Sequence, residues 1–169
     1  MVTHKIKDSK VVRITENTDH LFEVVPGKKI RLGIILDLTG KDISYSITLK
    51  ALQPNCEAEI RIISILKYSL LDLTGTLIVE KGAKGSNLYL SHKTILRDRV
   101  SHVTTKPQLI LSETDIRCGH GAVVSMVSTD QIEYLESRGF SRQNAENMLC
   151  ISQIDQVCEW VLTKSEEEH

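Results

Sequence analysis

The chain has 169 residues, enough for one domain with a substantial core, and a hydrophobic fraction of 41% excludes wholesale disorder. Aromatic residues make up only 4%, so the apolar content is mostly Ile, Leu and Val, a bias that suits stacked aliphatic β-rungs. A net charge of −1 with scattered basic residues leaves no electrostatic footprint for nucleic acid or a membrane surface, and no apolar run is long enough to span a bilayer.

Residues 1–9 are polar and lysine-bearing and read as a frayed tail or an edge. They lack the apolar stretch of a secretory signal, so a cytoplasmic location is expected, with Cys56, Cys118, Cys150 and Cys158 reduced. Residues 10–127 read as a β core of short runs at 11–14, 21–25, 30–38, 43–49, 56–66, 69–75, 76–79, 87–90, 93–96 and 108–111. Pro26-Gly27, Thr39-Gly40 and the segment Lys81-Gly82-Ala83-Lys84-Gly85 supply turns. Cys56, Ala58, Ile60 and Ile62 share one face, opposite Glu57, Glu59 and Arg61. Sandwich, barrel and β-solenoid all accommodate many short, closely spaced strands, and turn signals do not tell parallel from antiparallel pairing.

The stretch Asp115-Ile116-Arg117-Cys118-Gly119-His120-Gly121-Ala122 follows the last of these runs. On a strand, Cys118 and His120 point to the same face, with Ile116 and Ala122, while Arg117 points away. Gly119 and Gly121 leave the opposite face bare, open to close approach of another backbone. A Cys-x-His pair suits metal or sulfide, but the same spacing also describes a packed core pair. Asp115 reads either as an orienting ligand or as a turn residue. A metal centre built from Cys56, His92, His102 and His120 would need all four to meet in space, whereas scattered histidines usually sit on the surface. Phosphate-loop and nucleophile-elbow patterns are absent, so autonomous ATP hydrolysis or serine hydrolase chemistry is not expected.

Residues 128–164 read as a helical subdomain and 165–169 as a solvated tail. Ser128, three residues before Gln131, opens a helix through Ile132 and Leu135 to Arg138, with Gly139 as its stop. Ser141 caps a second helix through Ala145, Met148 and Leu149, continued at helical spacing by Ile151, Ile154, Val157 and Val161 to about Lys164. Such an apolar stripe packs a core or docks a partner.

Taken together, Lys106-Pro107-Gln108-Leu109-Ile110-Leu111, the Asp115–Ala122 stretch, Tyr134-Leu135-Glu136-Ser137-Arg138-Gly139-Phe140 with Ala145, and upstream Gly75-Thr76-Leu77-Ile78-Val79-Glu80-Lys81-Gly82-Ala83 resemble the C-terminal part of the SufB/SufD scaffolds of iron–sulfur cluster assembly. The specific likeness covers about 75–149, and Gly121 after the shared histidine resembles the SufD side. The resemblance implies a right-handed parallel β-helix with a C-terminal helical domain, on the order of five rungs of about 20 residues. It implies pairing of two β-helices, as a homodimer or with a SufB-like protein, and docking of a SufC-type ABC ATPase on the helical domain. Leu135, Met148, Leu149, Ile154 and Val157 are then the candidate docking residues, and His120, Cys118 and Asp115 the candidate cluster or metal residues. A transient iron–sulfur cluster is the only cofactor expected, and the role is that of a scaffold rather than an enzyme. The chain departs from the family pattern in Thr114 for Asp, Gly119 for Ser and Ile110 for Glu, in an Asn- and Gln-rich segment reduced to Asn87, and in lacking the N-terminal helical domain and several rungs. An interaction module that dimerises or docks a partner without handling a cluster is the alternative.

Overall fold

The computed structural model describes residues 1–163. The expected helix end at Lys164 and the tail at 165–169 lie outside the described residues. Ten strands precede two helices: β1 (Val2–Ile6), β2 (Lys10–Arg13), β3 (His20–Val24), β4 (Lys29–Thr39), β5 (Ile43–Ala51), β6 (Glu57–Lys67), β7 (Leu70–Val79), β8 (Ser86–Leu96), β9 (His102–Leu111), β10 (Ile116–Met126), α1 (Thr129–Ser137) and α2 (Arg142–Leu162). The odd strands form one sheet in the order β1-β3-β5-β7-β9 and the even strands a second, β10-β8-β6-β4-β2. Every pairing is parallel, and consecutive strands alternate between the sheets, so the chain winds as a β-solenoid of about 4 turns. That excludes the sandwich and barrel readings.

The rung length differs from the sequence expectation. Register partners lie 18 and 22 residues apart in the first turn, but 27 to 32 apart in all later ones. The strands are longer than their hydrophobic runs suggest. Residues 69–75 and 76–79 merge into β7, and 87–90 and 93–96 into β8. Residues 2–6, read from sequence as a tail or edge, form the edge strand of the first sheet, with Ile6 buried beneath Val24.

In-register stacking turns strand alternation into aliphatic ladders. Leu32, Ile60 and Leu90 stack inside the second sheet, and Phe22, Leu49 and Leu77 inside the first, all fully buried. The second sheet is buried on its outer face as well. Ile35, Ile63, Ile65 and Ile95 point outward and meet Cys150, Ile154, Val157 and Cys158 of α2. A strand covered on both sides reads as a nearly continuous apolar run, as 34–36 does and as 62–66 does apart from Ser64.

The helices begin where the sequence places them. Ser128 Oγ accepts the Gln131 N–H, and Ser141 Oγ accepts the Asn144 N–H. Gly139, at φ +93°, ends the first helix in the left-handed region. Polar clamps hold α2 along the solenoid. Arg97 Nη2 donates to Asn147 Oδ1 at 2.7 Å and to Glu146 Oε2 at 3.3 Å, Lys93 Nζ donates to Gln153 Oε1 at 2.6 Å, and the Arg61 guanidinium lies 4.0 Å from the centre of the Trp160 ring. Among the described residues no helix is long and apolar enough to cross a membrane.

Candidate functional site at the open end of the solenoid

Among the described residues no further turn stacks on the last one, β9 and β10. Its inward residues therefore meet solvent: Leu109 is 47% exposed, Leu111 46% and Val124 49%, while Leu77, Val79 and Thr94 one turn back are all sealed at 0%. Both edge strands also present an unpaired backbone ladder.

Cys118 and His120 sit on the inward face of β10, as strand alternation predicts. Cys118 stacks on Leu88 and packs with Ile116 against the main core. Burial pushes its thiol up, partly opposed by a backbone hydrogen bond with Leu88, so it is a neutral thiol at pH 7. Arg117 is exposed on the outer face and does not activate it. All four cysteines are free thiols.

His120 stacks on Leu90 and reaches across the lumen to the first sheet. It reaches that far because residue 75 is glycine. A Cβ on Gly75 would lie 2.6 Å from His120 Nε2 and 3.3 Å from Leu90 Cδ2, so a side chain there would evict the ring. Neither ring nitrogen has a well-formed hydrogen bond with a described residue. Burial holds its pKa below the ordinary imidazole value, and the nearby Gly75 backbone offsets this only in part. A neutral imidazole, one nitrogen carrying its proton and the other a lone pair, is what a metal ligand or proton acceptor requires.

On the outer face the bare surface over Gly119 and Gly121 is taken by the ring of Tyr89 and not by a second backbone. A Cβ on Gly119 would lie 2.7 Å from Tyr89 Cδ2. Glycine in place of the family's serine is thus matched by the tyrosine one rung away.

Asp115 belongs to the turn before β10, where its carbonyl accepts the Gly85 N–H at 2.7 Å. At about 3.3 Å per strand residue it lies on the order of 16 Å from His120, too far to share a ligand. Among the described residues no group of three or more His, Cys, Asp and Glu is placed to hold a metal ion. Cys56 is buried elsewhere, hydrogen-bonding to the Val24 and Gln53 carbonyls, and His102 is exposed on β9, so neither joins His120. His92, in contrast, is buried one rung beneath, close enough for its charge to feel His120.

The docking candidates divide. Ile154 is buried against the molecule's own second sheet and Val157 is partly buried there, packed with the outward isoleucines of β4, β6 and β8. Leu135 is half-buried, and Leu149 lines a groove between α2 and β8–β10. Met148 stays exposed, as do Tyr134, Phe140 and Ile151, which are not among the docking residues expected from sequence.

The sequence that forms most of this solenoid matches a known family model. Residues 31–152 match the model described as "SUF system FeS cluster assembly, SufBD core domain". The chain belongs to the SufBD family. Within it, the chain is 35% identical over 75 residues to the iron–sulfur cluster assembly protein SufD of Escherichia coli, covering 44% of this chain and 18% of that protein. It is 40% identical over 75 residues to an iron–sulfur cluster assembly SufBD family protein of Mycobacterium tuberculosis, covering 44% of this chain and 9% of the relative. The Bacillus subtilis SufD is 30% identical over 71 residues, covering 42% and 16%. The chain thus spans less than a fifth of the length of these SufBD relatives.

Proposed function

We propose that this SufBD chain is a cytoplasmic SufD-like scaffold subunit of iron–sulfur cluster assembly, pairing through the open end of its solenoid and docking a SufC-type ATPase on its helical part. The observation that carries the reading is the coincidence of two features. The turn left unsealed, with Leu109, Leu111 and Val124 half-exposed, is the turn that carries His120, neither of whose ring nitrogens has a well-formed hydrogen bond with a described residue. An apolar rim around an imidazole suits a junction that excludes water once a second β-helix is seated. The partner is a second copy or a SufB-like chain. The cluster under assembly is the substrate, and His120 contributes a nitrogen ligand to it. Cys118 supplies sulfur only if seating the partner lowers its pKa, since burial keeps it a neutral thiol in the single chain. With SufB- and SufC-like partners coexpressed, reconstituted cluster absorbance is expected to fall at least tenfold in His120→Ala while the complex still copurifies. Undiminished absorbance removes His120 from the mechanism.

A second reading, docking without cluster handling, draws on the neutral Cys118 thiol and the exposed apolar side chains of Tyr134, Phe140, Met148 and Ile151 on the helical part. Capture of a SufC-type ATPase is expected to fall at least tenfold in Met148→Lys and to be unchanged in His120→Ala. Equal capture by Met148→Lys moves the docking surface elsewhere.

A further inference from the structure

The lumen of this solenoid is lined mainly by apolar side chains, Phe22 and Tyr45 among them, but one cluster on the inner face of the second sheet is polar. Where the ladder Ile34–Ile62 should continue, β8 places His92, only 3% exposed, and the neighbouring ladder from Leu36 continues as Ser64 and Thr94, both at 0%. Burying three polar side chains in an apolar stack costs stability unless each finds a partner. Two of them do. His92 Nε2 lies 2.9 Å from Ser64 Oγ and 3.0 Å from Thr94 Oγ1. His92 Nδ1 has no partner among the described residues. One ring nitrogen fixed by hydroxyls and the other left free is the arrangement of a metal-ligating histidine, whose outer nitrogen is tied down so that the inner one is aimed.

The position of His92 strengthens the case. Its register partner on the open side is Ala122, an exposed methyl group. His120 is two residues from Ala122 on the same inward face. Strand spacing and rise put the two histidine Cα atoms about 8 Å apart, within reach of two imidazoles closing on one ion. Three of the buried ring nitrogens without a partner, one on His92 and two on His120, therefore collect at the mouth of the lumen.

The geometry points to His92 as an inner nitrogen ligand that, with His120, holds a single borderline divalent transition-metal ion of the iron(II) class at the mouth of the solenoid. Imidazole nitrogen suits such ions. Two protein donors leave the other coordination positions to solvent, to sulfide or to a seated partner. Seen this way, the polar trio is the support of a loading position behind His120, entered past Ala122. This deepens the cluster-assembly reading and rests on it for the identity of the cargo; ion binding itself does not depend on that reading.

The test uses the full chain under anaerobic conditions with Co(II) as the probe, read by its visible d–d bands and by the paramagnetically shifted imidazole N–H signals in proton NMR. Wild type is expected to show two shifted N–H signals at one site. His92→Gln is expected to lose one of them and to weaken Co(II) at least tenfold, and His120→Ala to lose the other. Because the buried His92→Gln substitution risks unfolding the chain, Ala122→Leu provides a second route: it leaves both histidines and is expected to weaken Co(II) at least tenfold by closing the entrance. A wild type with one shifted signal, or Co(II) binding unchanged in both His92→Gln and Ala122→Leu, overturns the inference and leaves the cluster reading standing on His120. Two signals that behave as expected in a chain whose His120→Ala variant still assembles clusters uphold the inference and sink the cluster reading.

Discussion

Replacing Gly75 with alanine is expected to abolish cluster assembly as completely as replacing His120, although residue 75 has no side chain to contribute. The added Cβ would lie 2.6 Å from His120 Nε2, far inside contact distance. The atom that must yield is the end of a flexible side chain at a half-open site, so the ring swings away and the solenoid survives. Alanine is also no worse than glycine in a strand, a difference of about 1 kcal/mol in its favour. Gly75→Ala is therefore expected to keep wild-type stability within about 1 kcal/mol while cluster absorbance falls at least tenfold. Urea denaturation paired with reconstitution measures both. Full assembly activity in Gly75→Ala would mean that the position of the His120 ring across the lumen is immaterial.

Acidification is the second large effect. Burial first, and the neighbouring His120 second, push the pKa of His92 down to about 4 from the ordinary 6.5. Between those values the unfolded chain holds a proton on residue 92 that the folded chain refuses. The contribution of His92 to stability is therefore complete above pH 6.5, declines as pH falls from 6.5 to 4, and is constant below. The shift corresponds to about 3 kcal/mol, a large part of the stability of a domain this size. His4 and His20, hydrogen-bonded to each other at 3.1 Å at the opposite end and both lowered chiefly by burial, add to the slope in the same direction. Denaturant melts from pH 7 to pH 4 are expected to lose this increment in wild type and to flatten by about 3 kcal/mol in His92→Gln. Parallel pH profiles for the two proteins would show that the imidazole is not buried as described.

These two residues also mark what the sequence makes legible and what it hides. Local pattern suffices for what is local. The Ser128 and Ser141 caps, the Gly139 stop and the inward Cys118–His120 face follow from spacing along one element, and each stands where that spacing puts it. Parallel stacking does not follow from strand and turn patterns; only the linked motifs carried it. The period of about 20 fits the first turn alone, because later turns use paired strands of 9 to 11 residues that apolar runs understate. Gly75 is glycine because of a ring 45 positions downstream, which no local window contains. His92 did carry a signal. It shares period-two alternation with Leu88 and Leu90, a face already apolar, and that signal is lost when β8 is divided at residue 91. Ile154 and Val157 illustrate the converse: an apolar helical stripe looks the same whether it meets a partner or the chain's own sheet, and here the outward isoleucines of β4 and β6 claim it.

Hydrogen–deuterium exchange of the chain alone and in complex with a SufB-like partner, or with a second copy at high concentration, addresses the open end directly. The backbone amides of β9 and β10 should gain strong protection on association, with β1 and β2 at the far end unchanged. Protection confined to β1 and β2, or none anywhere in a complex that forms, would place the junction away from His120 and contradict the account.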